Sequence, residues 1–109
     1  MTLAEIKRQV TVGQVYDVTN HYITRVDHPC YGTTRRVVAK VTGSSVYLSL
    51  HSDALQVMPG PYPTFAWPKA CQVEMRPGGV IQLYGGGAGQ KPTDLYLTLT
   101  PVKVTAFAS

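Results

Sequence analysis

The 109-residue sequence has few charged residues and no long apolar segment. Charged residues make up only 15%, and the six Asp and Glu are scattered, so paired carboxylates for acid–base catalysis are not expected. No apolar run reaches the roughly 18 residues that a membrane-spanning helix needs. The sequence therefore predicts a protein that is not embedded in a membrane and not built around a carboxylate pair.

Cysteine is also scarce. The two cysteines, Cys30 and Cys71, are too few for a disulfide scaffold, and the opening MTLAEIKRQV lacks the apolar core of a secretory leader. We therefore expect free thiols in a reducing cytoplasm, with a Cys30–Cys71 disulfide as the alternative. Cys71 falls in an alternating pattern and is predicted to be a buried small hydrophobic residue.

Hydrophobic residues, by contrast, make up 44% of the chain, which excludes intrinsic disorder. Val, Thr and seven Tyr favour strands, and ten Gly and eight Pro favour turns between them. The length suits one domain over residues 1–109, with a helix in 1–10, a barrel over 11–104 and a tail at 105–109.

Hydrophobic periodicity places one helix and six strands. Thr2 and Glu5 form a capping-box pattern, and Leu3, Ile6 and Val10 follow at helical spacing, which predicts a helix over 3–9. Alternation then predicts strands over residues 14–22, 35–42, 45–50, 64–75 (interrupted at Pro68), 80–84 and 95–99. Short strands with hairpin turns indicate a mainly β fold, a small antiparallel barrel of Src-homology type or oligonucleotide-binding type.

The same alternation predicts the core. The inward residues are expected to be Tyr16, Val18, Tyr22, Val37, Ala39, Val41, Val46, Leu48, Leu50, Cys71, Val73, Met75, Ile81, Leu83, Leu95, Leu97 and Leu99. The single tryptophan, Trp67, is expected to anchor the core, with an exposed contact residue as the alternative.

The glycine-rich stretch 85–93 resembles a phosphate-binding loop only in its glycines. Lys91 is followed by Pro92 and then by an alternating strand, so the Gly-Lys-Thr order and the helix N-terminus of such loops are missing. We interpret the stretch as a strand connection.

The sequence contains few residue patterns that are typical of metal binding or catalysis. His21, His28, Cys30 and His51 lack the paired spacing of zinc ligands, and only His28 and Cys30 lie close together. A ribonuclease-like set of Arg25, Arg35 and His28 is the third functional hypothesis. We expect no metal, no cofactor and no enzymatic activity.

Outward-facing tyrosines and cations form the strongest candidate site. Alternation predicts that Tyr47, Tyr84, Tyr96, Arg36 and Lys40 point away from the core, and Arg35 adjoins them. Tyr and Arg are enriched at protein-binding hot spots, and aromatics among cations also stack on single-stranded nucleic acid. The alternative is that these tyrosines only stabilise the sheet through cross-strand pairs.

Two runs in the C-terminal half, WPKACQVEM and IQLYGGGAGQKPTDLYLTL, resemble segments of short accessory proteins encoded by phages of actinobacteria. The resemblance implies a phage-encoded protein in a bacterial cytoplasm that engages a host component. It supplies no catalytic or binding residues.

The sequence therefore favours a non-enzymatic binding module that engages a host protein through an outer sheet face. The net charge of +4 keeps a nucleic-acid-binding barrel open as the alternative, although the basic residues form no run. Nothing in the sequence predicts the oligomeric state.

Overall fold

The computed structural model describes residues 2–27, 31–50 and 64–102. One helix, α1 (Leu3–Gln9), precedes the strands, and 3₁₀ turns cover Ala70–Gln72 and Pro77–Gly79. The strands are β1 (Val15–Asn20), β2 (Gly32–Val41), β3 (Ser45–Leu50), β4 (Thr64–Ala66), β5 (Val73–Arg76), β6 (Val80–Tyr84) and β7 (Leu95–Val102). Within the described residues, no helix is long and apolar enough to cross a membrane.

The seven strands form one antiparallel sheet in the order β4-β3-β2-β1-β7-β6-β5. The sheet curls into a half-barrel, which confirms the predicted mainly β, barrel-like class with a short N-terminal helix. The central strand β1 pairs with β2 on one side and with β7 on the other. Pairing along the whole sheet therefore links the start of the chain to its C-terminal part.

The predicted fourth strand, 64–75, is two strands. β4 and β5 lie at opposite edges of the sheet, and the segment that contains Pro68 and the turn Ala70–Gln72 connects them. Proline has no N–H to donate to a strand ladder, so the ladder stops before Pro68. Cys71 lies in that turn as an exposed free thiol, so its predicted burial was wrong.

The core lies on one face of the sheet and is closed by α1. The capping box is formed, with Thr2 N donating to Glu5 Oε1 at 2.8 Å and Glu5 N donating to Thr2 Oγ1 at 3.2 Å. The buried cluster consists of Ile6, Val10, Tyr16, Val18, Val38, Val46, Leu48, Phe65, Ile81, Leu83, Leu97 and Leu99. Three half-buried side chains pack against this cluster: Val73, Met75 and Trp67. The Trp67 ring is edge-on to that of Phe65, with 5.2 Å between the ring centroids, as expected of a core anchor.

A bulge in β2 overturns part of the predicted alternation. The pairing with β3 shifts between Val38 and Lys40. Val41 faces the core as predicted, but before the bulge Val38 faces the core and Arg36 shares its face, with 3% of Arg36 exposed. The predicted outward position of Arg36 was therefore wrong, because one extra residue reverses the alternation on its N-terminal side.

The face opposite the core cluster also contains buried valines. Val15 and Val37 are partners across β1 and β2, and both are buried although neither belongs to the core cluster. The predicted inward position of Tyr22 was wrong, because β1 ends at Asn20 and the Tyr22 ring lies beyond it, 40% exposed.

Truncation at Val38 tests the core. Val38 has no exposed surface, so Val38→Ala removes buried apolar groups and leaves a cavity. We expect a loss of about 2–3 kcal/mol in the free energy of unfolding, measured by urea denaturation. The matched control is Val12→Ala at a 65% exposed position, where the change is expected to stay within about 0.5 kcal/mol. Equal losses in the two variants would contradict this placement of the core.

Tyr16 makes stability depend on alkaline pH. Its burial raises the pKa of the phenol to about 12, whereas an unfolded chain ionises it near 10. The contribution of the neutral phenol is complete below pH ~10 and is lost as the pH rises toward about 12, because only the unfolded chain gains from ionisation. We expect the free energy of unfolding to fall more steeply above pH ~10 in the wild type than in Tyr16→Phe, and parallel slopes would contradict the burial of the hydroxyl.

Candidate functional site

The outer face of the sheet, opposite the core cluster, carries a continuous row of polar side chains. Register pairing aligns one residue from each of the adjacent strands β2, β1, β7, β6 and β5. In that order the residues are Thr33, Thr19, Thr98, Gln82 and Glu74. The hydroxyls of Thr19 and Thr33 lie 2.8 Å apart, and His21 Nε2 lies 2.8 Å from Thr98 Oγ1. Thr19 and Thr33 therefore bond to each other, whereas Thr98, Gln82 and Glu74 bond to neighbouring side chains, namely His21, Arg76 and Tyr84.

The described arginines of this face and its loops are paired with acids. Arg35 donates to both carboxylate oxygens of Asp17, at 2.9 and 3.2 Å. These hydrogen bonds lower the pKa of Asp17 below its usual value and raise that of Arg35. Arg76 Nε lies 3.3 Å from Glu74 Oε1, and Arg25 pairs with Asp27 at 3.0 Å.

Two of the predicted binding residues lie together on the β2–β3 half of the sheet. Tyr47 is half-buried, and the Lys40 ammonium sits over its ring, 5.4 Å from the centroid. Lys40 and Tyr47 are also register partners across the two strands. Such a cation–π pair stabilises the sheet by roughly 0.5–1 kcal/mol at an exposed site.

Tyr84 lies on the other half of the sheet, next to the edge strand β5. Its hydroxyl donates to Glu74 Oε1 at 3.0 Å and lies 3.2 Å from Gln82 Oε1. Desolvation, and then the hydrogen bond to Glu74, raise the pKa of Tyr84. The predicted set of Tyr47, Tyr84, Tyr96, Arg35, Arg36 and Lys40 therefore does not form one patch, because these residues are spread over both halves of the sheet and Arg36 lies on the other face.

Tyr96 is covered by the glycine-rich loop. Its ring meets that of Tyr22 edge-on at 6.2 Å, and the two rings lie against the backbone of Gly86 and Gly87. A Cβ added at Gly86 would come within 2.2 Å of the Tyr96 ring, and one at Gly87 within 2.3 Å of the Tyr22 ring. The glycines are needed here for close approach, which the sequence did not reveal.

Several backbone donors of this loop bond within it. Gly85 N donates to Asp94 O at 2.8 Å and Gly87 N to Gln90 Oε1 at 2.9 Å. Lys91 N donates to the Asp94 carboxylate at 2.9 Å. A phosphate would have to displace these bonds and approach the Asp94 carboxylate, so the contacts favour the interpretation of the stretch as a strand connection.

Three connections meet at one end of the sheet. β1 and β6 end there and β2, β5 and β7 begin there, as the pairs Asn20–Gly32, Tyr84–Leu95 and Val73–Leu83 show. We define the loop end as residues 21–27, Tyr31, 70–72 and 85–94. Three large apolar side chains are exposed on it: Tyr22 (40%), Val26 (76%) and Tyr31 (43%).

The sequence interpretation missed these loop residues. Alternation identifies strand faces, and it says nothing of a side chain in an irregular segment. The signal that was present is composition: an aliphatic and two aromatic side chains lie in a connection that contains Asp27 and is followed by Gly32. Loops held by a rigid scaffold are frequent sites of binding.

An open groove of about 390 Å³ adjoins the loop end. Its lining combines the turn after Pro68, the start of β5, the end of β6 and the glycine-rich loop: Ala70, Cys71, Val73, Glu74, Tyr84, Pro92 and Thr93. One carboxylate, one phenol, one thiol and one hydroxyl therefore line the groove together with the apolar side chains of Ala70, Val73 and Pro92.

The proposed metal and nuclease residues are only partly described. His28, Cys30 and His51 lie outside the described residues, and His21 is at hydrogen-bonding distance from Thr98. Arg25 and Arg35 are each paired with a different aspartate. Among residues 2–27, 31–50 and 64–102, no group of three potential ligands could hold a metal ion.

Comparison with known proteins adds no relative: no protein-family model, no curated protein and no solved structure matches this chain.

Alanine substitution in the glycine-rich loop tests its packing. Gly86→Ala forces the Tyr96 ring or the loop to move, and we expect a loss of about 1–3 kcal/mol in the free energy of unfolding. Gly43→Ala is the control, because an added Cβ there meets nothing within 4 Å and the backbone is not left-handed. In a Tyr96→Ala background the cost of Gly86→Ala should largely disappear, and an unchanged cost would show that the ring is not what restricts Gly86.

Proposed function

We propose that this chain is a non-enzymatic binding module that engages a protein through the loop end and the adjoining outer face. The observation that carries the proposal is the exposure of Tyr22, Val26 and Tyr31 on one loop of the loop end, whose other segments border the groove at β5 and β6. Exposed apolar side chains that cluster in a soluble domain are typical of recognition surfaces.

The loop is held in place before any partner arrives. Asn20 Oδ1 accepts hydrogen bonds from the backbone N–H groups of Tyr22 and Ile23, both at 2.9 Å. The Tyr22 hydroxyl donates to Ala88 O at 3.1 Å, which links this loop to the glycine-rich one. Preorganisation of this kind lowers the entropic cost of association.

Charge pairing favours a protein over a nucleic acid. Arg25, Arg35 and Arg76 are each paired with a carboxylate, and Arg36 is buried. A phosphate backbone would compete with these acids for each guanidinium. The net charge of +4 still supports the alternative of a nucleic-acid-binding barrel, and the same experiment separates the two.

Of the residues that the sequence predicted, Tyr84 belongs to this surface because it lines the groove. Tyr47 and Lys40 lie on the other half of the sheet, so they extend the interface only for a partner that covers the outer face. A specific interface needs about 800 Å² from each side, which the loop end and the neighbouring outer face together can supply. The resemblance to phage accessory proteins makes a bacterial host protein the proposed partner.

The test is affinity capture from a bacterial lysate with matched variants. The wild type, a Val26→Ser/Tyr31→Ser variant and a Val12→Ser control are immobilised, and each lysate is used with and without nuclease treatment. We expect the wild type and the control to retain the same protein after nuclease, and the loop-end variant to lose it or bind it at least about tenfold more weakly. Val12 suits the control because it is 65% exposed and lies outside the loop end.

Two outcomes would overturn the proposal. Loss of all captured material on nuclease treatment, together with oligonucleotide binding that weakens steeply with salt, would establish the nucleic-acid alternative. Equal capture by the wild type and the loop-end variant would place the interface elsewhere. Circular dichroism of each variant confirms that the comparison is made between folded proteins.

A further inference from the structure

In the described part of the chain, β5 forms one edge of the sheet. Among the described residues, β5 pairs with β6 alone, and β6 lies on one side of it only. The side chains of Glu74 and Arg76 on this strand are 46% and 54% exposed. The unpaired backbone N–H and C=O groups of an edge strand are a template for a further strand.

The charges on β5 are arranged symmetrically about its Met75. Glu74 precedes and Arg76 follows it, both on the outer face, and their ion pair of 3.3 Å shows that they point the same way. Val73 and Met75 lie on the core face and are half-buried against the core cluster. An acid and a base two residues apart therefore flank an apolar centre.

We infer that β5 pairs with the β5 of a second copy of this chain, antiparallel about Met75. Each Glu74 then lies directly opposite the Arg76 of the other copy, and the two Met75 side chains face each other on the core side. Opposite charges directly across an antiparallel pair are stabilising, and like charges there are destabilising. The contact joins the two sheets into one.

The charges select this register among those that are possible. Opposed residues in an antiparallel pair share a face, so a two-fold contact is centred on one residue of β5, which is Val73, Glu74, Met75 or Arg76. Centring on Val73 places Glu74 opposite Gln72 and opposes no two charges. Centring on Glu74 opposes two carboxylates, and centring on Arg76 opposes two guanidinium groups. Only the Met75 register opposes unlike charges twice.

The length of β5 limits the strength of the contact. Pro77 follows Arg76 and cannot donate to a ladder, and the turn Ala70–Gln72 precedes Val73. A four-residue strand covers less than the roughly 800 Å² per partner of a standard interface. The dimer is therefore weak and forms only as the protein concentration rises.

Sedimentation velocity with charge-reversed variants tests the inference. The wild type is expected to shift toward dimer between about 10 µM and 1 mM. Glu74→Arg and Arg76→Glu each place like charges opposite one another, and we expect each to weaken association at least about tenfold. The double variant Glu74→Arg/Arg76→Glu restores unlike pairs and should dimerise like the wild type.

A mixture supplies the sharper readout. Glu74→Arg alone carries two bases on the strand and Arg76→Glu alone carries two acids, so an equimolar mixture should form a heterodimer although neither variant self-associates. Asp17→Arg is the control, because it also reverses an acid in an ion pair but lies on the central strand β1. It should leave the dimer unchanged, and circular dichroism checks the fold of every variant.

The inference is overturned if the wild type stays monomeric over this concentration range. It is equally overturned if it dimerises but Glu74→Arg behaves as Asp17→Arg does, or if the double variant fails to recover association. The failure of this inference and that of the loop-end proposal remain distinguishable, because this one is measured by self-association of β5 variants and the other by capture with the Val26→Ser/Tyr31→Ser variant.

Discussion

The structure depends on the double pairing of β1. This strand hydrogen-bonds to β2, which follows it in the chain, and to β7, which closes the described part of the chain. Its inward residues Tyr16 and Val18 belong to the core cluster that α1 covers. Because β7 is far from β1 in the sequence, the sheet cannot form from local hairpins alone. The loop end is therefore assembled only when β1 and β7 have paired.

Periodicity predicted those parts of the fold in which alternation is unbroken. In β3, β6 and β7 the inward residues Val46, Leu48, Ile81, Leu83, Leu97 and Leu99 are buried as expected. Prediction failed where a single residue breaks the period: the bulge in β2 reversed Arg36, and Pro68 divided one predicted strand into two edge strands. The position of a bulge cannot be recognised from composition, because it depends on how two paired strands pack against the same core.

The candidate site was less predictable than the fold, because residue type does not reveal what a side chain contacts. Tyr47, Tyr84 and Tyr96 have the same chemistry, yet one lies under a lysine, one donates to a glutamate and one packs beneath a glycine-rich loop. The glycines of that loop suggested phosphate binding, whereas Gly86 and Gly87 lie against tyrosine rings and the N–H groups of Gly85, Gly87 and Lys91 bond within the loop. The exposed side chains of the loop end lie in irregular segments, where no period applies.

The groove and the edge strand β5 share two residues, which makes the two proposed contacts interdependent. Val73 and Glu74 line the groove, and both belong to the edge strand β5. Glu74 holds Arg76 and the Tyr84 hydroxyl in the single chain, and in the dimer it faces the Arg76 of the second copy. A partner that enters the groove and engages the Glu74 carboxylate therefore competes with the second copy for the same charge. Coupling between two binding events is reciprocal. Dimerisation therefore lowers the affinity for such a partner by the same factor by which the bound partner lowers the affinity between the two copies.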